Sequence, residues 1–500
     1  MSSAPIYLDY AATTPVDPQV AQAMAECLTA AGDFGNPSSV HAYGRAAAER
    51  IARARGQVAA LVGARPADVV FTSGATESNN LAILGAARAN ADRGRHLVTS
   101  RTEHKSVLDP FRRLEKEGFE VTWLTPGPEG RIEPRAFAAA LRADTVLAAL
   151  MYANNETGVL GDVPAIGALC RERGVAFHTD CAQAAGKIPL ALGELPVDFA
   201  AFTAHTLYGP KGIGALYVRD GARGLLQALS YGGGQERSLR PGTLPTHQIV
   251  GFGAACALAA RELPGEGPRI RALRERLWQA LEALGDTYLN GAGTERLPGI
   301  LNVSFAGVHG ESLIGALPGL AVSSGSACNS QSAEPSYVLR ALGRSTQLAQ
   351  SSLRFSLGRC TTASEVDAAA AAVSVAVQRL RALSPGSPSA RGHRNGWAAG
   401  AGPGTLVAGE AGGQGEETWV RFELLVSGDT VKEARFQAFA CPHTMEVAAW
   451  LCGALRGRSR RALVPGTPDA WAKEHAVPAE KLGRLLRLED ALSACLAHWT

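Results

Sequence analysis

"VDFAAFTAHTLYGPKGIGALYV", residues 197–218, is the stretch that decides the fold. It holds two apolar runs, Val197–Thr203 and Gly214–Val218, with the length and composition of buried strands. The turn between them carries polar and basic side chains, namely His205, Thr206 and Lys211. A buried strand that opens onto such a turn is typical of the site edge of an α/β enzyme. The turn is therefore a candidate for a catalytic group.

The same alternation of strands and helices extends over about residues 65–220. Five earlier runs also predict strands: Val69–Thr72, His96–Ser100, Phe119–Leu124, Thr145–Tyr152 and Val175–Asp180. Between them lie Ala- and Arg-rich segments with helical spacing, which together predict an α/β fold with a mostly parallel, wound sheet. Polar clusters follow five of the strands, at 73–76, 102–104, 154–156, 180–183 and 203–206. Because ligands bind beyond the carboxyl ends of such strands, these clusters predict one shared site.

The chain divides into four parts by pattern. We expect residues 1–260 to hold an N-terminal segment and the large domain, and residues 261–383 to form a smaller α+β domain. Residues 384–416 are rich in Gly, Pro, Ser and Ala and predict a flexible linker. Residues 417–500 predict a small C-terminal α+β domain, with a hairpin turning at Ser427-Gly428-Asp429 and a helix opened by Cys441-Pro442.

Composition excludes several classes of function. The 49 Lys and Arg residues nearly balance the 46 Asp and Glu residues, so the net charge of +3 predicts no nucleic-acid or membrane footprint. The start of the chain does not resemble a signal peptide, and no apolar run reaches spanning length. The nine cysteines form no closely spaced framework, which predicts reduced thiols in the cytoplasm.

Three positions allow either an ordinary structural interpretation or a functional one. Gly74-Ala75-Thr76 lies between a strand and a helix N-terminus, where it favours an anionic phosphate or forms an ordinary helix cap. Asp180 directly follows a strand, and its carboxylate pairs with a protonated pyridine nitrogen or is satisfied within its loop. His104 stacks on a ring or caps a helix.

Cys328 lies in a run of small polar residues, "SSGSACNSQSAEPS", which suits a mobile reactive thiol.

Many motifs together resemble one family. They are "YLDYAATTPVDP", "GNPSSVHAYG", "FTSGATESNN", "TEHKSVLD", "YANNETGV", "HTDCAQAAGK", "YGPKGIGALYVR", "RPGTLPTHQIVG", "AVSSGSACNSQSAEPSYVLRALG" and "SSLRFSLGR". This set resembles the cysteine desulfurases of iron–sulfur cluster assembly, which are class V, fold-type I enzymes dependent on pyridoxal 5'-phosphate (PLP). The resemblance covers about residues 5–383. It implies a homodimer that converts L-cysteine to L-alanine and passes the sulfur, as a persulfide on Cys328, to a scaffold or other acceptor protein.

The resemblance also assigns roles to individual residues. Asp180 would pair with the pyridine nitrogen of PLP, Gln183 with its phenolic oxygen, and His104 would stack on the ring and assist proton transfer. The phosphate would be held by Ala75, Thr76, Thr203 and His205, and by Thr243 reaching from the neighbouring subunit. Asn155 and Arg354 would bind the substrate carboxylate, Arg354 through its planar fork.

Thr206 departs from the family pattern. In this family the residue after the histidine of that motif is the lysine that binds PLP covalently, and a threonine cannot form that bond. Lys211 is a weak substitute because a Pro-Gly corner fixes its place. The other motifs of the cofactor pocket are intact, so we expect impaired turnover and PLP that is bound non-covalently or trapped as an external aldimine with free cysteine. A natural loss, an engineered substitution and a sequence error are all compatible with the threonine.

The C-terminal part, about residues 417–500, resembles a degenerate iron–sulfur scaffold. Such scaffolds use three cysteines because thiolates suit iron, and only Cys441 falls on a ligand position. Cys441 is thus a weak metal candidate, with a persulfide-acceptor role and a docking or structural remnant as alternatives. Cys452 and Cys495 lie at apolar helical positions and are expected in the core.

Two rival functions remain beside the desulfurase. One is a catalytically silent PLP-binding partner or regulatory subunit of cluster assembly, which Thr206 favours. The other is a different class V reaction, such as that of an aminotransferase or a selenocysteine lyase, against which the Cys328 loop argues.

Overall fold

The fold is described here from a computed structural model, which describes residues 4–324, 335–384 and 404–499. Cys328 lies outside these ranges, as does most of the predicted linker. In chain order, the helices are α1 (Pro18–Ala25), α2 (Ala42–Leu61), α3 (Ala75–Ala89), α4 (Lys105–Lys116), α5 (Pro134–Ala140), α6 (Val163–Glu172), α7 (Thr246–Glu282), α8 (Gly310–Gly315), α9 (Tyr337–Ala341), α10 (Thr346–Gln350), α11 (Ala363–Leu383), α12 (Pro442–Leu455), α13 (Pro468–Glu474) and α14 (Leu482–His498).

The strands fall into four sheets. In chain order they are β1 (Ile6–Tyr7), β2 (Val69–Thr72), β3 (His96–Ser100), β4 (Glu120–Leu124), β5 (Thr145–Ala149), β6 (Ala176–Asp180), β7 (Phe199–Thr203), β8 (Gly214–Val218), β9 (Thr287–Leu289), β10 (Ile300–Phe305), β11 (Leu320–Ala321), β12 (Ser323–Ser324), β13 (Ser352–Ser356), β14 (Thr405–Gly413), β15 (Thr418–Ser427) and β16 (Thr430–Phe439).

The large domain is built on a seven-stranded sheet in the order β2-β8-β7-β6-β5-β3-β4. Strands β7, β6, β5, β3 and β4 are parallel, whereas β8 runs antiparallel to both of its neighbours. Leu97 and Val98, consecutive in β3, belong to separate buried clusters on opposite faces of the sheet. Ile51 of α2 and Phe252 of α7 join one cluster, and Phe111 of α4 joins the other. The predicted helix-covered, mostly parallel sheet is confirmed.

The smaller domain is a four-stranded sheet in the order β12-β13-β10-β9, packed against α11 and the second half of α7. The predicted boundary at residue 260 falls within α7, which runs unbroken from Thr246 to Glu282. The α7 residues up to Ala259 pack in the core of the large domain, and those from Ile270 onward pack in the core of the smaller one. The N-terminal segment also joins this domain, since Ile6 and Tyr7 of β1 pair with β11 and Leu8 enters its core. A two-residue strand gives no periodicity from which its partner could be predicted.

The C-terminal unit is a three-stranded antiparallel sheet, β14-β15-β16, covered by α12 and α14. The predicted hairpin is present, but the predicted linker was wrong over residues 405–413, which form β14. That strand is rich in Gly and Ala because α14 packs directly on its backbone: a Cβ on Gly409 would lie 2.3 Å from the backbone nitrogen of Cys495. Small residues that permit this approach also resemble a linker in composition. The unit contacts the smaller domain through an ion pair between Lys481 and Glu311.

None of the helices in the described part of the chain combines the length and apolarity that a bilayer crossing requires.

Candidate active site

A cavity of about 630 Å³ opens at the carboxyl ends of the parallel strands. Ten of the residues predicted to form the site lie in its wall, contributed by strand ends, helix starts and β13: Ala75, Thr76, His104, Asn155, Asp180, Gln183, Thr203, His205, Thr206 and Arg354. Thr243 is exposed outside this wall, in the loop before α7, and Cys328 lies outside the described residues. Convergence follows from the fold, because parallel strands end at one edge of their sheet.

One end of the cavity is suited to an anion. Ala75 and Thr76 are the first residues of α3, a 15-residue helix whose free N–H groups and dipole favour negative charge. The start of α3 lies close against β8, because a Cβ on Gly214 would be 2.6 Å from the Cα of Gly74. Thr203 and His205 complete this end of the wall. Burial lowers the pKa of His205, with smaller contributions from Lys211 and Lys187.

Asp180 is held rigidly at the end of β6. Its Oδ2 accepts a hydrogen bond from Nδ2 of Asn79 at 2.8 Å, and its Oδ1 accepts one from the backbone nitrogen of Ala182 at 2.8 Å. The side-chain amide of Asn79 is fixed in turn, since its Oδ1 lies 2.8 Å from Nε2 of the buried His178. These bonds orient a carboxylate that lines the cavity, as a partner for a protonated ring nitrogen requires.

His104 is connected to the same network. Its Nδ1 accepts from the backbone nitrogen of Ser106 at 3.1 Å and lies 2.7 Å from the Ser106 hydroxyl. That hydroxyl accepts from Asn79 at 2.8 Å, so its own proton is directed toward Nδ1 of His104. The neutral imidazole thus carries its proton on Nε2, as inferred from these donors. His104 both caps α4 and lines the cavity, so the two interpretations made from sequence are compatible.

Arg354 is buried in β13 and also lines the cavity. It donates to the carbonyl oxygen of Asn155 at 2.9 Å and to Oδ1 of Asp9 at 2.8 Å. Within the described structure, its Nε and the Oδ1 of Asn155 have no hydrogen-bond partner although both are buried. Because unpaired buried polar groups are costly, these two atoms indicate a polar ligand at this wall.

Thr206 occupies a short 3-10 turn, Ala204–Thr206, directly after β7. It is buried, and its hydroxyl lies 2.9 Å from the carbonyl oxygen of Ala182 and 3.3 Å from that of Thr203, both acceptors. The hydroxyl proton is therefore committed to the backbone. Lys211 also lines the cavity but is an exposed residue. Its neighbour Gly212 has a φ of +82°, which fixes a turn that a larger residue would strain.

Sequence reasoning missed the residues that support the site. Asn79, Ser106 and Lys187 lie within the quoted motifs but received no role from sequence, because each acts through hydrogen bonds to other side chains that only the structure shows. Two buried acids, Glu103 and Glu156, belong to the polar clusters predicted from sequence but were assigned no individual role. Burial raises the pKa of Glu156 to about 7, against opposing contributions from Ser336 and Arg354, and burial raises the pKa of Glu103.

The donor set fits PLP. An anion-binding helix start, an oriented carboxylate and an imidazole share one cavity with the unpaired Nε of Arg354. The missing element is an amine at position 206. No group of three or more His, Cys, Asp or Glu side chains within the described ranges could hold a metal ion.

Comparisons with known proteins agree on one family of relatives. The family model "Aminotransferase class-V" matches residues 6–369. Cysteine desulfurase IscS of Pseudomonas syringae pv. tomato is 58% identical over 382 residues, which cover 76% of this chain and 95% of the relative. Cysteine desulfurase IscS of Azotobacter vinelandii is 57% identical with the same coverage.

Solved structures show the same fold. A NifS-like protein superposes with a TM-score of 0.70 at 33% identity, covering 75% of this chain and 100% of that one. SspA in complex with cysteine superposes with a TM-score of 0.64 at 38% identity, covering 70% and 98%. The C-terminal unit lies beyond the part that the family model matches.

Proposed function

Since the chain belongs to the class-V aminotransferase family of PLP-dependent enzymes, we propose that it is a cysteine desulfurase whose turnover is limited by Thr206. The net reaction converts L-cysteine and the Cys328 thiol to L-alanine and a Cys328 persulfide. The C–S bond of the substrate breaks and an S–S bond forms, so no outside oxidant is needed. The observation that carries the proposal is the convergence of ten predicted residues on one cavity of this chain, whose relatives are named as cysteine desulfurases.

The roles of the residues follow from their contacts. PLP, when bound, supplies an electron sink for bonds to the substrate Cα. Asp180 would neutralise the protonated ring nitrogen, and the start of α3 would bind the phosphate. Arg354 would direct its unpaired Nε to the substrate carboxylate, with Asn155 beside it. His104 would hold a proton on Nε2 at the cavity wall, and Gln183 would contact the phenolic oxygen.

Thr206 sets the expected rate. A hydroxyl committed to the Ala182 carbonyl is not a base for the Cα proton. Because general-base catalysis is typically worth ~10²–10⁴-fold, turnover should fall by at least that range relative to an enzyme with lysine here.

The presence of threonine at position 206 also favours a second candidate function. A chain that keeps the cofactor pocket but lacks the amine suits a silent PLP-binding partner of an active desulfurase. A different class V reaction is the less supported alternative, because the Cys328 loop has the composition of a sulfur carrier.

The proposal also covers the oligomeric state, the cellular compartment and the acceptor protein. We propose a cytoplasmic homodimer in which Thr243, exposed before α7, reaches the phosphate site of the other subunit. The eight described cysteines are all free, as a reducing compartment favours. The acceptor would be an iron–sulfur scaffold protein, and the C-terminal unit would be a degenerate scaffold-like domain. Cys441 there is buried, with its Sγ 3.2 Å from the Thr444 hydroxyl, which supports a structural role over metal binding.

The test is product analysis of the PLP-loaded protein with L-cysteine. The desulfurase predicts slow alanine formation and a persulfide that maps to Cys328, lost in Cys328→Ser. Absence of both products, with alanine appearing only when an active desulfurase is added, would identify the silent partner. A product other than alanine would identify another class V reaction.

A further inference from the structure

The chain offers few amines that could replace the one missing at position 206. It has seven lysines, all within the described ranges: Lys105, Lys116, Lys187, Lys211, Lys432, Lys473 and Lys481. The last three belong to the C-terminal unit, and Lys116 ends α4. Lys211 lines the cavity and Lys187 lies immediately behind its wall. Lys105, the first residue of α4, lines neither cavity. The choice of amine is therefore between Lys187 and Lys211.

Lys187 contacts the cavity wall directly. Its Nζ donates a hydrogen bond to Oε1 of Gln183 at 2.6 Å. Gln183 is buried, lines the cavity, and is fixed on its other side by donating from Nε2 to the carbonyl oxygen of Ala11 at 2.9 Å. One side chain thus separates the Lys187 amine from the cavity.

Thr206 lies between two cavities and lines both of them. A second, small cavity of about 40 Å³ lies behind the first, and both Lys187 and Thr206 line it. Thr206 is thus a wall of both cavities. Lys187 and Thr206 therefore share the lining of one small cavity.

The environment of the Lys187 amine favours its neutral form. Lys187 as a residue is intermediate in exposure, but desolvation around its amine, followed by repulsion from Arg354, lowers its pKa to about 7. A lowered pKa increases the share of the neutral, nucleophilic amine near neutral pH. This repulsion shows that the Lys187 amine lies near Arg354, which lines the cavity.

We propose that Lys187 is the residue through which this chain holds PLP covalently, in place of the amine absent at position 206. This inference rests on the proposed PLP-binding function. The Lys187 nitrogen adds to the aldehyde carbon of PLP, its two protons leave with the carbonyl oxygen as water, and a C=N bond forms, with no redox change. Gln183 is expected beside the phenolic oxygen, which is adjacent to the aldehyde on the PLP ring. The Lys187 amine would give up its hydrogen bond to Gln183 when it bonds to the aldehyde carbon of PLP.

The test is borohydride reduction of the full-length protein loaded with PLP, followed by proteolysis and mass spectrometry. We expect the reduced pyridoxyl adduct on Lys187. An adduct on Lys211 or any other lysine, or PLP retained on the protein with no adduct, would overturn the inference while leaving PLP binding intact. Failure to retain PLP at all would overturn both the inference and the proposed function.

Matched variants check the assignment. Lys187→Met keeps an unbranched side chain of similar length and should abolish the adduct, whereas Lys211→Met should leave it in place. In Thr206→Lys, the adduct should move to position 206. An adduct that survives Lys187→Met at the wild-type yield would overturn the inference. Because the mapping on the wild-type protein stands alone, misfolding of a variant does not affect the result.

Discussion

Thr206 donates its hydroxyl proton toward the carbonyl oxygen of Ala182, 2.9 Å away, in the turn where this family carries its PLP-binding lysine. A side chain tied to the backbone in this way closes off the wall of the cofactor cavity without supplying an amine.

Restoring lysine at position 206 should restore catalysis. Thr206→Lys supplies a base and an amine, so we expect alanine formation from L-cysteine to rise by ~10²-fold or more. Thr206→Val, which has nearly the same shape and no hydroxyl, is the control and should stay at the wild-type rate. The measurement is alanine production by amino-acid analysis, and equal rates for both variants would show that the pocket has changed elsewhere.

Asn79 should be needed to hold Asp180. Asn79→Ala removes hydrogen bonds to Asp180, Ser106 and His178 in a buried region, so the free energy of unfolding should fall by about 1–3 kcal/mol. PLP retention on a desalting column should fall as well. Asn80→Ala is the matched control, because the Asn80 side chain donates to the Thr76 carbonyl in an exposed setting. Equal PLP retention by the two variants would contradict the role of Asn79.

Arg354→Lys should weaken substrate binding. The guanidinium can donate from its unpaired Nε, whereas a lysine ammonium is a point charge without the same fork. In the Thr206→Lys background, we expect the KM for L-cysteine to rise about 10- to 100-fold, from loss of a charge-assisted hydrogen bond worth about 1.5–3 kcal/mol. Arg344→Lys, whose arginine bonds Asn290 away from the cavity, is the control. A change confined to kcat would argue against carboxylate binding.

His178 should make stability depend on pH. Burial lowers the pKa of His178 from 6.5 to about 3, so between these values the unfolded chain binds a proton that the folded chain excludes. Stability is therefore lost as pH falls through this window, by about 1.4 kcal/mol per pH unit for this group. His178→Gln should lose about 1.3 kcal/mol less than wild type between pH 7.5 and pH 5.5 in urea unfolding. Parallel losses in the two proteins would refute the assignment.

Gly409 should be required for the C-terminal unit. In Gly409→Ala, the added Cβ would meet the backbone of Cys495 at 2.3 Å, so overpacking should cost about 1–3 kcal/mol of unfolding free energy. Gly413→Ala, on the same strand, is the control because a Cβ there has nothing within 4 Å. The measurement is thermal unfolding with a probe on the tryptophans of this unit, among them the buried Trp471. Equal melting temperatures for the two variants would show that α14 does not pack on β14 as described.

The amino-acid sequence by itself predicted the mostly parallel sheet and ten of the residues that line the cavity. The sheet follows from local strand patterns, and parallel strands bring their carboxyl ends to one edge, whereas the individual site residues followed from the resemblance to a known family. Position 206 was equally readable, since its neighbours fix the register of the motif.

Only the tertiary structure decided which groups stand behind that edge. Asp9 and Arg354 are 345 positions apart, and Asn79 and Asp180 are 101 apart, yet each pair is bonded at 2.8 Å. The assignment of β1 to the smaller domain, the pairing of β14 and the small cavity shared by Lys187 and Thr206 also depend on tertiary structure. Such contacts depend on how separate elements pack, and side-chain packing over long sequence separations leaves no periodic trace in a single chain.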